Sequence, residues 1–403
     1  MGRRHWTGAA AAVFVCGWGG NQFTPLLVLY REAGWSVAIV DALLSAYVVG
    51  LVPGLLVASR LSARFGHKRV MTAAVAVSLL SGLMTAAGGF ASGSTMITWI
   101  SVGRFSTGAA AAIAMAAGTT WVTELSSDPA AGTRRGALWL TLGFAAGPGV
   151  AGLLAQLLST SSGHSAMVVP YLPHVVLAAV LLPMLPRLAE TRIADGKPVA
   201  RLTVARNPRF VRVILPMAPW IFGSAGIAYA IMPQVVGNSV RSWGLAYSTL
   251  LTVCTLGAGA LVQPLAKRLD HHGSARAVAI SMAVMSAGLA ASAIAAGTGS
   301  PALALAAAIT LGLAYGIAVV SGLLELQRLA APGELATLTG VYYALAYSGF
   351  LLPTVLALLA GVASYPTLLS GLVLIALSGM LVILRHSRAH LPAPAAHRLP
   401  EAG

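Results

Sequence analysis

Apolar residues run in long blocks along this chain, parted by short polar stretches. A helix needs about 20 mostly apolar residues to cross a bilayer. Twelve blocks meet that length: residues 7–30, 36–58, 70–91, 95–123, 136–158, 166–186, 210–235, 243–265, 275–297, 301–324, 336–361 and 365–385. Only the stretch between the sixth and seventh, 187–209, is long. Glycine and proline recur inside the blocks, which membrane helices tolerate better than soluble ones. The pattern predicts an all-α membrane protein with twelve transmembrane helices.

Composition removes the alternatives. Of 403 residues, 57% are hydrophobic and only 9% charged, against about 25% charged in a soluble domain. So few charges cannot cover a water-facing surface, and disordered chains are charged and poor in apolar residues. The net charge of +15 would suit nucleic acid only if gathered on a polar domain. No such domain exists, so no nucleic-acid partner is expected. The charge reports orientation instead. An even number of spans puts both termini on one side, and 22 of the 25 Lys+Arg fall there. Arg31 and Arg241 lie opposite, and Arg104 lies inside the fourth block. Cytoplasmic loops carry the excess of Lys and Arg, so both termini are expected in the cytoplasm. Only Lys68, Lys197 and Lys267 are lysine; with the alanine and glycine load, this suggests a GC-rich bacterial genome and hence the bacterial inner membrane. Arg3-Arg4 ahead of an apolar run has the look of a secretory signal, but the run exceeds a signal core of about 7–15 residues. Cys16 and Cys254 lie far apart in apolar runs and imply no disulfide.

The two halves of the chain repeat one plan. Arg64 superposes on Arg268 at an offset of 204, Glu124 on Glu325 at 201, and Pro148 on Pro353 at 205. Pro25 and Pro233 sit near the outer ends of the first and seventh blocks. Two pseudo-symmetric six-helix bundles are expected, 1–186 and 210–385, with a linker at 187–209 and a tail at 386–403. Pro148 and Pro353 are expected to kink their helices. Arg187, Arg192, Lys197, Arg201, Arg206, Arg209 and Arg212 make the linker read as an interfacial segment drawn to anionic membrane lipid, each adding about 1 kcal/mol.

Three local strings resemble the major facilitator superfamily, nearest its twelve-span drug:proton antiporter group. Residues 59–68, Ser-Arg-Leu-Ser-Ala-Arg-Phe-Gly-His-Lys, resemble the family signature G-x-x-x-D-R-x-G-R-K, with Ser59, Ala63 and His67 in place of Gly, Asp and Arg. Arg104-Phe105-Ser106-Thr107-Gly108 is similar to R-x-x-x-G. Gly143-x-x-x-Gly147-Pro148-x-x-x-Gly152 is similar to the antiporter string G-x-x-x-G-P-x-x-G-G, although a small-residue packing seam explains it as well. Ala189-Glu190-Thr191 resembles a recurrent ending of the sixth helix. The resemblance implies gating contacts on the cytoplasmic side from Arg64, Gly66, Lys68, Glu124, Arg268 and Glu325. Glu124 would meet Arg64, Lys68 or Arg69, and Glu325 would meet Arg268. The missing Asp puts the inter-bundle latch in doubt. His67 reads as a solvated loop histidine or as a pH-sensitive replacement for that latch.

Two charged residues, Arg104 and Asp41, lie inside the blocks and away from their very ends, where a charge costs about 2.5–3.5 kcal/mol and marks function. Arg104 is central, and Asp41 is about one turn inside the outer end of the second block. Asp41 is expected to carry a proton. Arg104 is expected to compensate its charge and to hold first-helix backbone or side chains such as Asn21 and Gln22. The alternative for Asp41 is an exterior helix cap, because Trp35 and Ser36 mark the boundary.

The family's substrate cavity lies near the midplane between the bundles. Residues at suitable depth are Trp18, Asn21, Gln22, Phe23, Met115, Trp220, Phe222, Tyr229 and Tyr315, with Tyr47, Tyr343 and Tyr347 from the second and eleventh helices. Trp6, Trp35, Trp99, Trp243 and Tyr365 read as an interfacial belt. The set favours a lipophilic or aromatic small molecule over a sugar, whose hydroxyls need many partners. The resemblance implies a secondary transporter, a monomer without cofactor that exports its substrate against protons. Uptake of a nutrient or amino acid, and a non-transporting membrane sensor, remain alternatives. No metal, nucleotide or catalytic pattern is present, and no enzyme is expected; His174, alone in the sixth block, reads as a polar packing residue.

Overall fold

In a computed structural model the chain is described over residues 5–159, 164–191, 207–271, 273–330 and 335–389. Among the described residues, twelve helices are long and apolar enough to span a membrane: α1 (Trp6–Glu32), α2 (Val37–Phe65), α3 (His67–Gly88), α4 (Gly93–Glu124), α5 (Ala131–Leu158), α6 (Ser165–Arg187), α7 (Phe210–Val235), α8 (Gly237–Leu261), α9 (Arg276–Thr298), α10 (Pro301–Leu329), α11 (Leu338–Leu359) and α12 (Tyr365–His386). No strand forms among the described residues. The chain folds as an all-α membrane protein of two pseudo-symmetric six-helix bundles. Most of the linker (192–206) and of the tail (390–403), with Arg192, Lys197, Arg201, Arg206 and Arg398, lies outside the described residues.

Helix ends depart from the apolar blocks in both directions: α3, α8 and α11 stop short of their blocks, and others run past them. The second helix runs on to Phe65, past Ser59, Arg60 and Arg64, and the helix containing α5 starts at Pro129. Hydropathy stops at the first charge, but a helix continues wherever its backbone bonds do. Gly66 ends α2 with φ +87°, a conformation glycine adopts without strain. The two expected kinks differ. The helix is unbroken through Pro148, whereas Gly349–Leu351 tightens to a 3₁₀ turn ahead of Pro353. The first helix also breaks, after Asn21, with Pro25 in the short 3₁₀ turn Thr24–Leu26.

The repeat extends to backbone contacts. A Cβ on Gly108 would strike the Tyr47 carbonyl where α4 crosses α2, and one on Gly312 would strike that of Thr255 where α10 crosses α8. Gly143 meets the Phe14 carbonyl between α5 and α1, as Gly349 meets that of Pro219 between α11 and α7. Small residues thus set the closest helix approaches in both halves.

The bundles touch along α2 with α11 and α5 with α8. Several polar contacts cross between them toward the face away from the chain termini. Arg31 donates to the Ala230 carbonyl at 3.1 Å. Ser45 donates to the Phe350 carbonyl at 3.2 Å and lies 2.7 Å from Thr354 Oγ1. The Ala246 N–H donates to Gln156 Oε1 at 2.9 Å. On the outer helices large side chains such as Leu153, Val180, Leu358 and Leu374 stay exposed, which lipid does not penalise.

Candidate functional site

A cavity of about 210 Å³ lies between the bundles. Asn21 and Tyr229 line it toward the sealed face, and Gln263 and Leu323 line it near the terminal-face ends of α8 and α10. One wall is a set of aromatic rings. Phe222 stacks on Tyr347 with centroids 3.8 Å apart and on Phe350 at 5.1 Å, and meets Tyr315 at 5.6 Å. The Tyr347 hydroxyl donates across the cavity to Met115 Sδ at 3.3 Å. Among the described residues, no Asp, Glu, Lys, Arg or His lines it.

Of the sequence-derived cavity residues, Asn21, Met115, Phe222, Tyr229, Tyr315, Tyr343 and Tyr347 line this space. Five do not. Gln22 turns into the first bundle, where its amide lies 3.3 Å from His174 Nδ1. Phe23 stacks on Tyr30 at 5.4 Å. The Trp18 ring packs on Phe14. Tyr47 lies behind Tyr347 at 6.2 Å, and Trp220 is buried in a core cluster shared by the two bundles. Depth along a helix follows from sequence, but rotation about its axis does not, and neighbouring positions point about 100° apart. Thr141, Phe144, Gln263 and Phe350 line the cavity and were missed. The repeat carried a signal for them: Ala137 and Tyr343, Thr141 and Tyr347, and Phe144 and Phe350 all sit 206 positions apart, and all six line the cavity.

The two intramembrane charges are not partners. Arg104 is buried; its Nη1 donates to the Gly20 carbonyl at 3.1 Å, and its guanidinium lies over the Phe23 and Tyr47 rings at 4.7 and 4.9 Å. Contact with the α1 backbone matches expectation; Asn21 and Gln22 bond elsewhere. The cation for Asp41 is Arg31, at 2.7 Å from Oδ1. By sequence Arg31 lies in an exterior loop, yet only 13% of its side chain is exposed and it spans from Asp41 in α2 to Ala230 in α7. Asp41 is fully buried, with Oδ2 lacking a partner among the described residues. The capping role falls to Ser36, which accepts from the Ile39 N–H.

In α5, Cβ atoms on Gly143 and Gly147 would strike the carbonyls of Phe14 and Trp18, and one on Gly152 would strike Thr249 of α8. The string therefore seats α5 on α1 and, one turn beyond Pro148, on the other bundle.

A profile of the Major Facilitator Superfamily matches residues 9–354. The chain belongs to the major facilitator superfamily. Among curated proteins none matches. Solved structures show the same fold at low identity. The nucleoside transporter NupG superposes with a TM-score of 0.68 at 14% identity, covering 94% of this chain and 99% of NupG. The xylose transporter XylE from E. coli, in a partially occluded inward-open conformation, gives 0.71 at 13%, covering 94% and 98%. A D-xylose–proton symporter gives 0.65 at 13%, covering 94% and 96%.

The superfamily's loop signature takes an altered form here. His67 is buried, not solvated; its Nδ1 lies 3.2 Å from Glu124 and 2.9 Å from the Thr191 carbonyl. The expected pairing of Glu124 with Arg64, Lys68 or Arg69 is replaced by this contact. The Lys68 N–H donates to Glu190 at 3.0 Å, over Gly66, where a Cβ would lie 2.6 Å from the Glu190 carboxyl. In the second half Glu325 pairs not with the exposed Arg268 but with Arg209, at 2.8 and 3.0 Å, and with Arg328 at 2.8 Å. Arg328 also pairs with Asp270. The sequence places Arg209 in the lipid-drawn linker, yet it is wholly buried and donates further to the carbonyls of Ser387 and Ala389. Burial of a guanidinium demands partners, and this one finds four.

Proposed function

We propose that this superfamily member is a proton-driven exporter of a lipophilic, aromatic small molecule, working by alternating access as a monomer in a bacterial inner membrane with its termini in the cytoplasm. One observation carries the reading. An aromatic cavity reaches toward the terminal face, while the opposite face is held shut by a latch that contains a buried carboxylate. Asp41 is the proton carrier in this reading. Its ionised form holds Arg31, and Arg31 holds Ala230 of the other bundle. A proton on Asp41 removes the charge that Arg31 is bonded to, so proton occupancy and the closed latch exclude each other. Arg104 fixes the backbone before the α1 break and backs the cavity through Tyr47. Glu124, Glu325 and their partners act as struts on the terminal face. The α5 glycine seam, similar to the antiporter string, supports exchange.

Proton-coupled efflux in inside-out vesicles tests this. Wild-type protein should accumulate an aromatic substrate on acidifying the lumen, and Asp41→Asn should uncouple it. Unchanged coupling in Asp41→Asn removes Asp41 from the role.

Uptake with a proton is the second reading. Solved structures of this fold include a nucleoside transporter and a D-xylose–proton symporter, and Asn21, Thr141 and Gln263 offer a polar substrate side-chain partners. Accumulation by right-side-out vesicles under an inward proton gradient would favour it.

A further inference from the structure

Away from the cavity, a groove of about 810 Å³ opens on the terminal face between α9 and α12. Its mouth carries three exposed arginines, Arg276 at the start of α9, Arg385 in the last turn of α12 and Arg388 just past its end. No carboxylate pairs with any of them among the described residues. Below the mouth the groove is apolar, floored by Ala279, Ile280, Ala283, Met380 and Leu384. Three unpaired cations above an apolar channel at a membrane interface match a phosphate headgroup with an acyl chain beneath it.

The repeat sharpens the point. At the matching corner of the first half, the start of α3 meets the segment after α6. There the chain supplies its own anion, with Glu190 accepting from the Lys68 N–H at 3.0 Å. In the second half the segment after α12 has no acidic residue from Ser387 to Pro400. Among the described residues the corner is open and positive instead. It is also rigid: the Ala275 N–H donates to both the carbonyl and the hydroxyl of Ser387 at 3.0 Å. Arg209 grips the same carbonyl and passes the connection to Glu325 at the end of α10.

We propose that this groove binds one anionic membrane phospholipid, its phosphate between Arg276, Arg385 and Arg388 and one acyl chain along the α9–α12 channel. The occupant is a lipid and not free phosphate, because the channel beneath the arginines is apolar and continues toward the lipid-facing surface. Basic pockets between transmembrane helices on the cytoplasmic side recognise anionic headgroups in this way. Each interfacial arginine contributes about 1 kcal/mol, or about fivefold in affinity.

Purified full-length protein in neutral detergent, titrated with dioleoyl phosphatidylglycerol, dioleoyl phosphatidylethanolamine or inorganic phosphate, tests the site by native mass spectrometry and thermal unfolding. The expected result is one retained phosphatidylglycerol and a raised unfolding midpoint, with neither from the other two ligands. R276Q/R385Q/R388Q should weaken phosphatidylglycerol binding on the order of 100-fold, and R241Q, on the opposite face, should leave it unchanged. Should the triple variant fail to fold, A283W, which fills the channel and keeps the arginines, should weaken lipid binding and leave the protein intact. Equal retention of phosphatidylethanolamine, an equal shift with inorganic phosphate, or undiminished phosphatidylglycerol binding in either variant overturns the proposal.

Discussion

Removing Arg31 should open the face that the structure holds closed, and removing Asp41 as well should undo much of the damage. The pair is 2.7 Å apart, with Asp41 fully buried. For charge centres about 4 Å apart at an effective dielectric of 20, the attraction is about 4 kcal/mol. Arg31→Ala forfeits that and leaves a buried carboxylate with neither oxygen partnered, a loss of about 3–5 kcal/mol. It also cuts the bond to the Ala230 carbonyl; a hydrogen bond from a charged donor contributes about 1.5–3 kcal/mol, so the closed state loses on the order of tenfold or more in population. Spin labels at the exposed positions Ala33 and Asn238 would report it by double electron–electron resonance. Arg31→Ala should populate a longer distance, and its unfolding midpoint should fall. In R31A/D41N the stability should recover, because no uncompensated charge remains, while the longer distance persists. Additive destabilisation in the double variant, or an unmoved distance in Arg31→Ala, would refute the latch.

Three further outcomes follow from the packing. Gly143→Val drives a side chain into the Phe14 carbonyl and should abolish a monodisperse peak in size-exclusion chromatography, whereas Gly149→Ala, 3.9 Å from Val253, should not. Arg209→Met should cost about 3–5 kcal/mol by exposing Glu325 to burial without its main partner; R209M/E325L should unfold at a higher temperature than R209M. Tyr347→Ala removes the ring stacked on Phe222 and should lower both stability, by about 3–5 kcal/mol, and transport in the vesicle assay. Tyr347→Phe keeps the rings, loses only the bond to Met115, and should retain most transport.

Span count, the two-bundle plan and the depth of Arg104 were all readable from sequence, because each depends on length, period or a single charge in an apolar run. Partnerships were not. Arg31 and Arg209 look like ordinary loop arginines until folding sets them beside Asp41 and Glu325, and Glu325 lies 116 positions from its partner. His67 reads as solvated only while Glu124 and Thr191 are absent from its surroundings. Rotation divided the cavity set in the same way: Asn21 faces the cavity while Gln22, the next residue, faces His174. Local pattern gives depth and face width, but which face turns inward is decided by neighbours far along the chain.

The closed face is held by a small number of hydrogen bonds between the bundles, those of Arg31, Ser45 and Gln156 with Ala230, Phe350, Thr354 and Ala246. At about 1.5–3 kcal/mol for the bond from the charged Arg31 and about 0.5–1.5 kcal/mol for each of the others, they sum to a few kcal/mol. Turning a two-state equilibrium from 1:99 to 99:1 needs about 5.5 kcal/mol. A micromolar ligand binds with about 8 kcal/mol. The seal is therefore poised: firm enough to persist unaided, and weak enough for one bound molecule to release.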